Sequence, residues 1–206
     1  MPYMNQGFTA LVLVIIGLIA FIVLRPEVLR ARGGKILAFI AFFALPGLAS
    51  VGGLTAHMEH SKTTQFCLSC HVMEQYGQSL HLDDPSYVPA AHFQNGRIDR
   101  EHACFTCHTT YTLFGDYKAK AKGLKHLYVN YLGKIPDKIA LYEPYQNREC
   151  LHCHSGARSF EEQSDHADIR HDLETNSTAC TECHSPVHDV EHLAGAKLWQ
   201  EQEVKK

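Results

Sequence analysis

Residues 67–73 read CLSCHVM, and three further segments repeat the first five positions: CFTCH at 104–108, CLHCH at 150–154 and CTECH at 180–184. All eight cysteines of the 206-residue chain fall in these four Cys-x-x-Cys pairs. Such pairs serve zinc sites, redox dithiols or haem attachment, and the residue after each second cysteine separates the three. It is His71, His108, His154 and His184 in turn. With 15 histidines in the chain, four such placements by chance have odds on the order of one in thirty-five thousand. Neither a tetrahedral zinc site nor a disulfide framework needs a histidine at that fixed place. Covalent haem does, because two thioethers fix the porphyrin edge and the adjacent imidazole becomes the proximal iron ligand. The reading is four haem c groups, attached at Cys67 and Cys70, Cys104 and Cys107, Cys150 and Cys153, and Cys180 and Cys183.

Upstream lie two uncharged runs, Phe8–Leu24 of 17 residues and Ile36–Leu54 of 19. As helices they extend about 26–28 Å, against a hydrocarbon core of about 30 Å. Pro46 sits inside the second, where it kinks a membrane helix without abolishing it. Between the runs stand Arg25, Arg30, Arg32 and Lys35 against Glu27 alone. The positive-inside rule keeps that loop in the cytoplasm, so the N-terminus and everything after residue 55 lie outside. Residues 1–7 have no basic region, so the first run reads as an anchor rather than a cleaved signal. The expected organisation is a two-helix transmembrane anchor in the lipid bilayer, residues 1–55, and a haem domain, residues 56–206, on the periplasmic face of a bacterial inner membrane. That domain carries 15 Lys+Arg against 21 Asp+Glu, an acidic balance that argues against nucleic acid as a partner.

Residues 56–206 show no sustained period-two alternation, so the fold class is mainly α with little regular structure and no β-sheet. Helices are expected over Tyr117–Leu132, Ser159–Leu173 and Val190–Glu203. First cysteines of successive motifs are 37, 46 and 30 residues apart. About 150 residues cannot enclose four macrocycles in an aliphatic core, so the haems themselves form the core, close enough for electron hopping. Each iron also needs a sixth ligand. Eleven histidines remain after the proximal four, about half of them in excess; His152 is expected to face outward, and His81 and His102 have no assigned role.

The segment CLSCHVM resembles the first haem motif, CxxCHxM, of the NapC/NirT/NrfH family of membrane-bound tetrahaem quinol dehydrogenases. Three later segments are similar to that family as well: AAH at 90–92, GLKHLYVNYLG at 123–133 and CTECHSPVH at 180–188. The resemblance implies electron transfer from a membrane quinol pool, menaquinol above all, to a periplasmic reductase, soluble cytochrome or larger respiratory complex. Carried over by position, it pairs His108 with His171, His154 with His188, and His184 with His92. His166 is the alternative to His171, and His192 to His188. At the first haem the family's methionine ligand corresponds to Met73, while the acidic residue that approaches the opposite face is His126 here. Two readings stay open: Met73 ligates and His126 accepts quinol protons, or His71 and His126 form a bis-histidine pair. A lysine of the family's quinol pocket corresponds to Lys118 or Lys120. The extra span Phe8–Leu24 departs from the family's usual single anchor.

Quinol oxidation releases two electrons and two protons beside the haem nearest the membrane, and it needs a base there. His57, Glu59 and His60 in the linker to Cys67 are candidates, with Lys118, Lys120, Lys122 and Lys125 after the second motif; a lipid-headgroup patch accounts for these lysines equally well. A non-catalytic anchor and haem-wire subunit, with no quinone site of its own, is the alternative function. A substrate-reducing multihaem enzyme ranks third, because the surplus of histidines leaves an open iron position only at the first site. The chain matured in a host that attaches c-type haem should show four haem masses that survive acid–acetone extraction, and C180A/C183A should show three. Release of haem into acid–acetone would refute covalent attachment.

Overall fold

The computed structural model describes residues 2–136, 141–185, 187–188, 190–191 and 193–200, with side chains from Gln6 onward. His192 and residues 201–206 lie outside the described residues. The chain divides into two compact units, Met1–Ser61 and Lys62–Lys206.

The first unit is helical throughout. α1 (Pro2–Leu24) leads through a 3-10 turn, Pro26–Arg30, into α2 (Arg32–Phe39) and α3 (Leu45–Ser61). A single π-helical turn, Ile40–Ala44, joins α2 and α3. Pro46 explains it. Its ring and missing N–H disrupt the bond to the carbonyl four residues earlier, and a π-turn just upstream absorbs the misfit without breaking the helix. Gln6–Leu24 and Arg32–Ser61 are both long and apolar enough to cross a membrane. α1 and α3 pack together with small side chains inside, as membrane helices do: Ala41 and Ala49 are buried, and Gly53 lies against the Phe8 ring. Gly34 is required where the loop closes, since a Cβ there would stand 1.8 Å from the Val28 carbonyl oxygen. Of the twelve residues expected to link the second span to Cys67, Thr55–Phe66, those up to Ser61 are instead the end of α3.

The second unit consists of short helices on which the four motifs ride. In order they are α4 (Thr64–Leu68), α5 (Glu74–Ser79), α6 (Val88–Gln94), α7 (Ala103–Cys107), α8 (Gly115–Leu132), α9 (Arg148–His154), α10 (Arg158–Glu161), α11 (Ser164–Asp168), α12 (Arg170–Thr175) and α13 (Cys180–Cys183). No strand or sheet forms among the described residues; a lone antiparallel bridge joins Leu82 to Leu198. The mainly helical, sheet-free class thus holds. Its buried apolar side chains are few, with Leu80, Tyr87, Ala90, Ala103, Phe160 and Leu173 the members in this unit.

Two helix expectations need correction. Ser159–Leu173 is three short helices, because Gln163 is extended (ψ 122°) and His166 Nδ1 donates to the Phe160 carbonyl, which removes that acceptor from a continuing ladder. Val190–Glu203 forms no helix among its described residues. Instead Trp199 N–H donates to the His81 carbonyl and Asp83 N–H to the Lys197 carbonyl. The Trp199 ring stacks over His81, centroids 6.2 Å apart, under the Arg100 guanidinium. Ring burial and an edge pairing outweigh the helix propensity of a polar tail. α8, by contrast, begins only two residues before its expected start. Gly115 opens it because a Cβ would meet the Thr110 carbonyl at 1.4 Å.

Asn147, 2% exposed, holds three segments together. Its Nδ2 donates to the carbonyls of Leu173 and Thr178, and its Oδ1 accepts from Cys180 N–H. Asn147→Ala leaves three buried polar groups without partners, at about 1–3 kcal/mol each. Denaturant unfolding of the haem-loaded protein should show a loss of about 3 kcal/mol or more.

Candidate haem sites

Each motif places its histidine at or just beyond the C-terminal end of a short helix: His71 after α4, His108 after α7, His154 closing α9 and His184 after α13. The helical turn brings both cysteines and the histidine to one side, as two thioethers and one axial ligand require. None of the eight cysteines is paired in a disulfide.

Three of the four motif histidines meet a second histidine from elsewhere in the chain. His108 faces His188 with ring centroids 6.0 Å apart. His154 faces His92 at 5.9 Å, and His184 faces His166 at 6.0 Å. Two imidazoles bound through Nε2 at about 2 Å on opposite sides of one metal have centroids about 6 Å apart, at any twist about the common axis. The donor set therefore fits an iron between each pair.

The hydrogen bonds of the three distal histidines point the same way. His92 Nδ1 donates to the Val88 carbonyl at 2.7 Å and His166 Nδ1 to the Phe160 carbonyl at 3.1 Å. His188 Nδ1 lies 2.9 Å from Ser79 Oγ, whose own proton goes to the Tyr76 carbonyl, so Nδ1 is the donor. With Nδ1 protonated in each, the Nε2 lone pair is left for a metal. Burial, reinforced by His108, pulls the His188 imidazole down to about 4, which keeps it in the neutral form a metal needs. His188 also adopts φ 53°, a left-handed conformation that costs a residue with a Cβ about 1–2 kcal/mol. The Ser79 bond and the facing His108 ring hold it there.

These pairs differ from those the resemblance implied. His171 sits exposed on α12 and its ring enters none of the histidine pairs. His188 is brought to His108 rather than His154, His92 to His154 rather than His184, and His166 to His184. The linear order of histidines carries no information about which helix turns which ring inward.

The first motif is built differently. His71 and Met73 share a 3-10 turn, and His71 meets no other histidine ring among the described residues. His126 instead tilts against Tyr142, centroids 4.7 Å apart, with burial and Lys125 lowering its pKa. Beside Cys67 stands Lys120. Its ammonium lies 4.7 Å from the Phe105 ring centroid and 5.9 Å from that of Phe66. Lys62, also near the Phe105 ring at 5.6 Å from its centroid, pairs with Asp116 at 2.7 Å, and Asp116 accepts from Thr109 Oγ1. Burial pushes the Lys120 amine below its ordinary range. Lys118 is exposed and takes no part in this cluster. His60 lies in the last turn of α3, in the first unit.

Between motifs the contacts run in sequence. Cys67 and Cys104 are close enough that each thiol shifts the other's pKa, and Thr64 Oγ1 accepts from Ala103 N–H while donating to the Arg100 carbonyl. Tyr145 Oη donates to the Cys107 carbonyl at 2.6 Å. The Tyr111 ring stacks on His152 at 3.7 Å, and its N–H donates to Glu149 Oε2. Cys150 and Cys180 likewise shift each other's pKa, tied by Asn147. His152, expected to be without a role, thus forms part of the contact between the second and third motifs. Ser79, Thr64, Asn147 and Tyr145 carried no sequence signal, because each acts through contacts to residues distant in the chain.

A model of the NapC/NirT cytochrome c family, N-terminal region, matches residues 30–193. The chain belongs to that family. As a NapC/NirT cytochrome it is a membrane-anchored c-type cytochrome of respiratory electron transport that holds haem c covalently. Cytochrome c-type protein NapC of Haemophilus influenzae is 26% identical over 77% of this chain and 83% of its own. Denitrification system component NirT of Stutzerimonas stutzeri is 27% identical over 79% and 84%. A putative tetraheme cytochrome of Allochromatium vinosum is 29% identical over 68% and 84%. No solved structure matches the chain.

The pairing is open to a direct test. His92→Ala, His166→Ala and His188→Ala should each convert one iron to a high-spin ferric signal in EPR, while His171→Ala leaves the low-spin spectrum unchanged. A high-spin signal in the His171 variant, with none in the His166 variant, would reverse the assignment.

Proposed function

We propose that this NapC/NirT cytochrome oxidises a membrane quinol, menaquinol by preference, beside the first motif. It then passes electrons singly through four haems to a periplasmic reductase, soluble cytochrome or respiratory complex at the outer face of a bacterial inner membrane. The observation that carries the reading is the ordered contact of the motifs: first with second at Cys67 and Cys104, second with third at Tyr145, Tyr111 and His152, third with fourth at Cys150 and Cys180. Haem c supplies a one-electron iron couple at each. In this reading His108 with His188, His154 with His92 and His184 with His166 hold the irons of the second, third and fourth sites.

The first site differs from these three, and the difference is functional. Among the described residues His71 faces no other histidine ring, and Met73, two residues on in the same 3-10 turn, would serve as the ligand. Lys120 is the quinol-site lysine among the two candidates, since it alone stands against Phe66 and Phe105. Those rings offer a flat apolar surface for a quinol head, and the amine offers a group to take its proton. Cys67 and Cys104 raise the Lys120 pKa only as thiolates; as haem thioethers they carry no charge. Burial and Lys62 then lower it, offset by Asp116, and Asp116 with Lys62 forms an exit for the proton. His126, held against Tyr142, is assigned neither ligation nor proton transfer.

Because a base must be neutral to accept a proton, quinol oxidation should accelerate as pH rises toward the depressed Lys120 value and level off above it. In proteoliposomes a menaquinol analogue should reduce the haems, read at the α-band. Lys120→Gln should slow this by about tenfold or more, the scale of lost general-base catalysis, with dithionite reduction unchanged. Haems that stay oxidised with the quinol while dithionite reduces them would sink the proposal and leave the anchor-and-wire role.

A further inference from the structure

α8 carries an uncovered apolar face. Advancing about 100° per residue, the helix turns Asp116, Lys120 and Gly123 toward the rest of its unit, where Asp116 meets Lys62 and Lys120 meets Phe105. Beside Lys120 around the helix, about 20–80° from it by the same step, Tyr117, Leu124, Tyr128 and Tyr131 fall in a line three, four and seven residues apart, with Leu132 beyond them. They are 59%, 64%, 62%, 76% and 78% exposed. Their exposure marks a side of the helix that the described residues leave uncovered.

Charge distinguishes this helix from the rest of its unit. Residues 115–135 hold five lysines, at 118, 120, 122, 125 and 134, against Asp116 alone. Residues 56–206 together hold 15 Lys+Arg and 21 Asp+Glu, so everything outside this stretch is strongly acidic. Lys122 shares its charge with Glu143 at 2.5 Å and Lys125 lies 4.2 Å from the Tyr142 ring centroid; Lys118 and Lys134 are exposed. An aliphatic and tyrosine stripe flanked by lysines has the composition of a helix lying in a bilayer interface, where tyrosine rings sit at headgroup depth and lysines reach anionic lipid. The bilayer is also within reach along the chain, since α3 ends at Ser61 and α4 begins at Thr64.

We propose that α8 is an interfacial helix. It lays Tyr117, Leu124, Tyr128, Tyr131 and Leu132 into the surface of an anionic bilayer, with Lys118 and Lys134 on phosphate or carboxylate headgroups. This second, peripheral attachment supplements the spanning helices. It does not depend on the quinol reading and stands or falls separately from it.

The test uses the full-length, haem-loaded protein in nanodiscs that contain a diazirine-bearing lipid, with adducts mapped by peptide mass spectrometry. In discs containing phosphatidylglycerol, adducts are expected on Tyr117, Leu124, Tyr128 and Tyr131, at least fivefold above those in phosphatidylcholine discs. The variant L124E/Y128E should lose the α8 adducts by about fivefold or more while keeping the adducts on α1 and α3 and a native haem spectrum. Adducts confined to α1 and α3 in the unsubstituted protein would overturn the proposal. So would a photo-crosslinking residue at Leu124 that captures a second copy or another protein instead of lipid.

Discussion

The hydrogen bond at Nδ1 of a histidine fixes which nitrogen faces the iron, and much of the second unit is arranged to make that bond three times. His92 uses a carbonyl of its own helix, His166 reaches back to α10, and His188 relies on a serine more than a hundred residues away. In each case the acceptor is already committed by backbone geometry. An imidazole that could swing or change tautomer would be a poor axial ligand; these three can do neither without losing a buried bond. The breaks in the helices follow from this. α10, α11 and α12 are separate because a continuous helix could not bring His166 to the Phe160 carbonyl.

That constraint also explains what was legible in the sequence. The attachment positions were readable because thioether chemistry imposes a local spacing, two cysteines and a histidine within five residues, that no folding context can alter. The anchor was readable for a similar reason, since crossing a bilayer demands length and apolarity within one segment. The distal ligands were not. His92, His166 and His188 come from α6, α11 and the segment after α13, and which motif histidine each ring faces is set by packing rather than by chain order. His166 was weighed only as an alternative, and His171 was preferred for its distance from Cys180. The structure favours the residue whose Nδ1 finds a carbonyl. Helix propensity failed in the same regions, at Ser159–Leu173 and after Val190, where side-chain bonds and the Trp199 ring outbid the local ladder.

The pairing of motifs gives the electron path its geometry. Thr64, three residues before the first motif, bonds the backbone of Arg100 and Ala103 ahead of the second, and Asn147, three residues before the third, bonds the backbone of Leu173, Thr178 and Cys180 at the fourth. In both pairs the leading cysteines are neighbours, and haems attached there would be held close together. The central junction is built from aromatic rings instead: Tyr145 against His108, and Tyr111 on His152. Two rigid pairs joined by a stacked junction keep every step short while allowing the pairs to differ in environment.

The first site sits outside this scheme for a physical reason. A bis-histidine iron is fully enclosed by its ligands and tuned for conduction alone. On the proposed quinol reading, the first site would need an open flank, an apolar wall and a group that can take a proton. Phe66 and Phe105 supply the wall, and Lys120, held below its ordinary pKa by burial, supplies the group. Lys62 and Asp116 keep that lysine from being the only charge in the pocket, so a proton taken up there has a neighbouring carboxylate to leave by. Lys120 and the exposed apolar stripe lie side by side on α8, so under the two proposals this one helix carries both the proton acceptor and the lipid contact.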